Sequence, residues 1–326
     1  MKKIIYSPGE PSGIGPDLII QLCKSSFWTE AKIPILCLSD PNLLLKRAQD
    51  LGKKITLKKI YNLDELETNQ KNVIQVFHIS DCADTRYGKL YKANAQYVLD
   101  NLGFGIDEAF KNKNIALVTG PISKENIISI NKNFSGHTEF IQQRTKSDEV
   151  LMLLASDKLR VALITTHMPL RSVAKKITKQ LVINKAITLN KGLQDKFKIK
   201  NPNIKLLGLN PHSGEGGKIG KEEIDIIIPA VKELKKKKIN ISYPISADTA
   251  FSKNNLKEAD AFLGMYHDQV LPVIKALSFG NAINITLGVP ITRTSVDHGV
   301  ALDIAGTGKS DTSSLKEAIR TAKKII

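Results

Sequence analysis

Short apolar runs rich in Ile, Val and Leu punctuate the chain at residues 3–6, 33–38, 73–77, 115–118, 150–154, 161–164, 204–209, 261–265 and 282–287. Such runs, without strict polar alternation, are the pattern of strands covered on both faces. Stretches of helical periodicity lie between them, among them residues 90–110, 180–196, 221–237 and 314–324. Ser313 or Ser314 is placed to cap the last, with Glu317 near the capping-box position. Alternating strands and helices predict an α/β fold with a mainly parallel sheet. No internal repeat or low-complexity linker marks a boundary, but 326 residues suit about two domains.

Composition narrows the class. Apolar residues make up 42% and charged residues 25% of the chain, an ordinary globular balance. No apolar run approaches the ~20 residues of a membrane-spanning helix. The start MKKIIYSPGEPSG is too polar after its first apolar residues for a signal peptide. Cys23, Cys37 and Cys82 are an odd set, far apart and without a CxxC, so neither a disulfide framework nor a cysteine zinc site is expected. A reducing, cytoplasmic setting fits that usage.

The net charge is +16, from 48 basic and 32 acidic residues. The lysines are scattered, and the one dense run, Lys235 to Lys238, closes a helical pattern where cations suit the helix dipole. No aromatic residues interleave with it, so stacking platforms for single strands are missing. A solvated basic surface is expected, with no specific nucleic-acid site. The charge also suits steering of an anionic small substrate.

The histidines carry the chemical signal. His167 in LITTHMPL, His212 in LLGLNPHSGEGG and His267 in FLGMYHDQ each follow a strand-like run. Parallel sheets bind ligands outside the carboxyl ends of their strands. Three imidazoles delivered there can converge on one metal and leave positions open for substrate. Asp248 (SADTAF) and Asp268 lie in similar loops and could complete or orient the shell, or act as base. His78 also follows an apolar run, but no glycine- or aspartate-rich loop comes after it, and it reads as structural.

Other loops suit anions. FSGHTEF puts His137 and Thr138 at a helix start, where backbone N–H groups and a hydroxyl attract negative charge. TGPISKENI adds Lys124 after a strand. GEPSGIGPD follows the first strand and allows close backbone approach to a ligand, but it does not satisfy GxGxxG, and a standard Rossmann dinucleotide site is rejected. Lys275, Asn284 and Arg293 form a cationic and amide set suited to a substrate with carboxylate and phosphate. DHGVALDIAGTGKSD, with Gly299, Gly306, Gly308 and Asp303, could grip the adenosine half of a cofactor.

Taken together, GEPSGIGPD, TGPISK, FSGHTEF, TTHMPL, GLNPHSGEGG, SADTAF, MYHDQ, NITLGVP, RTSVDHG and ALDIAGTG resemble the 4-hydroxythreonine-4-phosphate dehydrogenase family of pyridoxal phosphate biosynthesis. They run in family order from residue 9 to residue 308. Val270 stands where the family usually has Gly, and Val300 where it usually has Thr.

The resemblance implies two α/β/α domains similar to isocitrate and isopropylmalate dehydrogenases. The expected division is residues 1–128 plus 275–326 on the cofactor side, and 129–274 for metal, substrate and dimerisation. It also implies a homodimer, with the active site between domains and at the subunit interface. By position, His167, His212 and His267 would bind one divalent metal (Zn, Mg or Co), His267 coming from the partner subunit. His137, Thr138, Lys275, Asn284 and Arg293 would contact substrate. NAD or NADP would meet Gly288, His298, Gly299 and Asp303.

The implied reaction is oxidation of 4-phosphooxy-L-threonine to 2-amino-3-oxo-4-(phosphooxy)butanoate, which loses CO₂ to give 3-amino-2-oxopropyl phosphate. The alternatives are a paralogous metal-dependent dehydrogenase of threonate or erythronate 4-phosphate, a cofactor-free metal-dependent hydrolase, and a basic nucleic-acid-binding protein.

Overall fold

The computed structural model describes residues 1–278 and 282–326. The chain divides into two compact units, residues 1–146 with 290–326, and residues 147–289. The expected boundaries fell elsewhere for two reasons. The helix His137–Thr145 is held in the first unit by the Arg144–Asp107 ion pair. The strand Ile283–Leu287 pairs with Leu151–Ala155 and so belongs to the second.

The first unit is built on β1 (Lys3–Ser7), β2 (Ile35–Leu38), β3 (Thr56–Lys59), β4 (Val73–Phe77), β5 (Ile115–Thr119) and β11 (Thr292–Ser295). Their order is β3-β4-β2-β1-β5-β11, and every pairing is parallel. Ile5, Leu117 and Arg293 are in register and share one face. The helix Asn94–Lys111 presses on that face so closely that a Cβ on its Gly105 would lie 2.7 Å from Leu117 Cδ1. On the opposite face, Thr294 donates its hydroxyl to Ala318 O (2.9 Å) in the helix Ser313–Ile325. The unit is therefore an α/β/α sandwich.

The second unit contains β6 (Leu151–Ala155), β7 (Arg160–Leu163), β8 (Ile204–Leu206), β9 (Ala261–Gly264) and β10 (Ile283–Leu287). The order is β10-β6-β7-β9-β8. β7, β9 and β8 are parallel, whereas β6 runs antiparallel to both β10 and β7. The expectation of a mainly parallel sheet holds in the first unit and not here. The reason is local: β6 and β7 are joined by a tight turn in which Ser156 N donates to Leu159 O (2.9 Å), and only antiparallel neighbours permit so short a link. The helix His267–Leu277 packs Val270, Leu271 and Ile274 on Met152, Leu154, Val161 and Phe262. The helix Lys179–Phe197 covers the other face, with Gly192 against Leu287.

Two helix expectations change. Residues 221–237 form one turn of π-helix, Glu223–Ile227, before the α-helix Ile228–Lys236. The last helix is preceded by Thr312 and has no side-chain cap, because Ser314 Oγ accepts instead from Asp297 N (3.0 Å) and Ser313 Oγ donates to Asp311 (2.8 Å). No helix among the described residues is long and apolar enough to cross a membrane.

Candidate active site

In the second unit, β7, β9 and β8 lie side by side and parallel, so the loops after them leave one edge of the sheet. His167, His267 and His212 follow these three strands in turn. Two cross-links fasten the loops. Thr165 donates both its N–H (3.1 Å) and its hydroxyl (2.7 Å) to Met265 O, tying the β7 loop to the β9 loop. Gln269 accepts from Met265 N (2.7 Å) and donates to Gly208 O (2.7 Å), tying the β9 loop to the end of β8.

The His167 and His267 rings meet within this one chain, with centroids 5.6 Å apart and planes at 49°. His267 opens the helix His267–Leu277, and its Nδ1 lies 2.7 Å from Asp268 Oδ1. A carboxylate on Nδ1 fixes the tautomer and leaves Nε2 to a ligand. His212 is exposed, in a turn after β8, and is close enough to Asp248 to lower its pKa. The Ser246 hydroxyl is the larger influence, holding the Asp248 carboxyl below the usual aspartate range by hydrogen bonding. Among the described residues no three His, Cys, Asp or Glu side chains are grouped as a metal site. One chain thus brings together two of the three expected ligands.

Lys275 stands on the helix His267–Leu277, and Asn284 on β10 opposite Leu154. Leu154 belongs to the cluster that packs under that helix, so Asn284 and the helix bearing Lys275 share a face of the sheet. Asn284 Oδ1 is buried with no hydrogen-bond partner among the described residues, as expected of an amide that waits for a ligand. Val270, where the family usually has Gly, is fully buried core that fills the space beside Gly264.

The first unit carries the residues expected to meet an anion. The helix His137–Thr145 starts after Gly136, and a Cβ there would lie 3.0 Å from Glu139 Oε2 and 3.5 Å from Lys124 Nζ. Arg293 is only 2% exposed and donates from Nε (3.2 Å) and Nη2 (2.8 Å) to Thr119 Oγ1. Burial pushes its guanidinium down to about 10, opposed by Glu139, so it stays a cation at neutral pH. The half-buried His137 is held well below the usual imidazole value, by desolvation first and then by the charges of Arg293 and Lys124. Cationic and neutral donors at a helix start are a fit for phosphate or carboxylate. Thr138 sits in the first turn of that helix, half-buried.

The two glycine-rich loops of this unit are laid together. Ile14 N donates to Val300 O (3.1 Å), and Gly306 N donates to Asp17 Oδ2 (2.8 Å). Val300 packs where a Cβ on Gly13 would intrude. The fully buried Arg47 fastens the first loop, donating to Asp17, to Gly13 O (2.9 Å) and to Pro11 O (2.7 Å). His298 Nδ1 lies 3.1 Å from Gly299 O, and its Nε2 is buried without a partner among the described residues. Gly299 has open space where a Cβ would stand, and Asp303 is exposed. Gly288 lies in the second unit, and its glycine is required by the backbone: φ is +82° and a Cβ would lie 2.1 Å from Glu149 O. His78, read as structural, pairs with Asp81 at 3.0 Å.

Sequence reasoning missed Arg47, Gln269 and Glu223. They are ordinary polar residues in the sequence, and only their tertiary hydrogen bonds set them apart.

The fold and these side chains define a protein of two α/β/α units with a histidine-bearing strand edge in one and a cluster of cationic and polar side chains at a helix start in the other. A family profile described as pyridoxal phosphate biosynthetic protein PdxA matches residues 30–322, and the chain belongs to that family. A 4-hydroxythreonine-4-phosphate dehydrogenase of Pseudoalteromonas translucida (strain TAC 125) is 43% identical over 323 residues, spanning 99% of this chain and 97% of that protein. The enzyme of the same name from Erwinia tasmaniensis is 42% identical, spanning 100% of this chain and 97% of its own. The crystal structure of the Klebsiella pneumoniae 4-hydroxythreonine-4-phosphate dehydrogenase superposes with a TM-score of 0.89 at 29% identity, covering 100% and 99% of the two chains. A terephthalate 1,2-cis-dihydrodiol dehydrogenase from Burkholderia xenovorans shares the fold alone, with a TM-score of 0.67 at 23% identity, covering 99% of this chain and 98% of that one.

Proposed function

We propose that this protein oxidises 4-phosphooxy-L-threonine at C3 with NAD or NADP, in pyridoxal phosphate biosynthesis. The product, 2-amino-3-oxo-4-(phosphooxy)butanoate, then loses CO₂ to give 3-amino-2-oxopropyl phosphate. The observation that carries this reading is the 43% identity, over 99% of the chain, to a relative bearing that enzyme's name.

The side chains have roles consistent with it. Arg293, fixed by Thr119, offers a buried fork for phosphate or carboxylate. His137, neutral at physiological pH, and Thr138 add hydrogen bonds at the same helix start. Asn284 offers a buried amide oxygen that suits the substrate ammonium. The proton acceptor is taken to be Asp248, kept ionised by Ser246, or Lys275. The nicotinamide cofactor would accept the hydride, its contacts falling to His298, Gly299 and Asp303, with Gly288 as a backbone turn.

His167, His212 and His267 would hold one divalent cation. The donor set fits: two imidazole rings lie with centroids 5.6 Å apart, and one has its Nδ1 on a carboxylate. Imidazoles favour Zn or Co over Mg. Such a cation would act as a Lewis acid toward the C3 oxygen. If a second copy supplies one ligand in a homodimer, we assign His212 to it in place of His267, because His267 already meets His167 in one chain.

The buried or half-buried thiols, with Cys23 pushed up to about 12 by desolvation, suit a reducing cytoplasm. The deciding experiment is NADH or NADPH formation with 4-phosphooxy-L-threonine against threonate and erythronate 4-phosphates. Higher kcat/KM on a substrate without the amino group overturns the assignment in favour of the paralogous dehydrogenase.

A further inference from the structure

Five consecutive residues of the turn after β8 have left-handed backbone angles: His212 (φ 50°, ψ 32°), Ser213 (53°, 40°), Gly214 (79°, −1°), Glu215 (44°, 52°) and Gly216 (68°, 22°). Gly217 continues the run at φ +94°. L-residues visit this region singly, and a run that includes His212, Ser213 and Glu215 persists only where its surroundings over-determine it.

What determines it is Glu223. Its side chain is buried, with the residue 2% exposed, at the start of the π-helical turn Glu223–Ile227. Oε1 accepts from Leu209 N (2.7 Å) and Asn210 N (2.8 Å), and Oε2 accepts from Asn210 Nδ2 (2.9 Å). Asn210 Nδ2 also donates to Glu222 Oε2 (2.8 Å). The carboxylate lies directly against the turn, for a Cβ on Gly214 would stand 2.6 Å from Oε2. It is also packed against the strand end, for a Cβ on Gly208 would stand 3.1 Å from Oε1. One side chain therefore anchors the entrance of the left-handed turn, two residues before His212, and shapes its floor.

We propose that Glu223 is a positioning residue: by accepting from Leu209 and Asn210 it holds the left-handed turn that presents His212 to a divalent cation. This rests on the reading of His212 as a metal ligand. The role needs acceptor capacity at both oxygens. A glutamine keeps the shape but turns an N–H toward a donor that a carboxylate oxygen receives.

The test is titration of the metal-free full-length enzyme with Co²⁺, followed by calorimetry and by the visible absorption of the bound ion. Four variants are compared: Glu223→Gln, Asn210→Ala, His212→Ala, and Glu223→Gln combined with Glu215→Gly. Supporting outcomes are about a 10–100-fold weaker Kd for Glu223→Gln, with an altered cobalt spectrum. Partial recovery of affinity on adding Glu215→Gly is also expected, because glycine removes steric strain from the turn.

Unchanged Co²⁺ affinity in Glu223→Gln, alongside weakened binding in His212→Ala, overturns the positioning role alone. Unchanged affinity in His212→Ala overturns the metal-ligand reading on which it rests. If Glu223→Gln does not fold, Asn210→Ala decides: a Kd weakened 3-fold or more supports the role, and an unchanged Kd refutes it.

Discussion

Arg47 and Asp17 form an ion pair in which both side chains are 0% exposed. The Tyr87 ring lies 4.0 Å from the Arg47 guanidinium, and Arg47 Nη1 and Nη2 also donate to Gly13 O and Pro11 O of the first glycine-rich loop. Breaking a buried pair strands a charge, at a cost of about 3–5 kcal/mol. Arg47→Ala is expected to lose that much in equilibrium denaturation. Arg47→Met combined with Asp17→Leu should lose less. Equal losses in the two variants would show that the pair's charges are not what matters.

Arg293 makes two contacts with the Thr119 hydroxyl that a lysine cannot reproduce. Arg293→Lys is expected to lower kcat/KM about 10-fold and Arg293→Ala about 100-fold, each ten-fold step being about 1.4 kcal/mol of transition-state stabilisation. Steady-state kinetics with 4-phosphooxy-L-threonine check this.

Asp268 should matter through His267. With Nδ1 no longer facing a carboxylate, Asp268→Asn is expected to weaken divalent-metal affinity about 10–100-fold. Cobalt titration of the metal-free protein measures it. Chelation of the wild-type enzyme with EDTA should abolish turnover, and full activity in rigorously metal-free enzyme would remove the metal from the reaction.

The folded-state pKa of His137 is depressed below its unfolded value of 6.5. The unfolded chain therefore binds a proton that the native site refuses, among Arg293, Lys124 and Glu139. His137 imposes no penalty above pH 6.5, and stability is lost as pH falls below it toward the native pKa. His137→Asn should flatten the dependence of the urea midpoint across that window. An unchanged slope would assign the dependence to other groups.

The strands buried on both faces were legible from their apolar runs, as in 115–118 and 261–265, because water exclusion selects them residue by residue. β3 and β11 were not. Thr56–Lys59 is a half-exposed edge strand, and Thr292–Ser295 is wholly buried yet polar. Its polarity is met by hydrogen bonds from Arg293 to Thr119 and from Thr294 to Ala318, contacts that local sequence cannot reveal. The same holds at the site. The histidines stood out because each follows a strand, whereas their supports, Gln269 and Glu223, are ordinary polar residues until the strand ends are brought together.

The first unit takes its last strand and last helix from residues 290–326, after the whole second unit has been spelled out. A ribosome therefore releases the second unit complete while the first still has β5 as an open edge, ready to pair with the wrong strand. Correct assembly waits on residues 290–326, so a chain broken off before them would expose the interior of the half that was synthesised first.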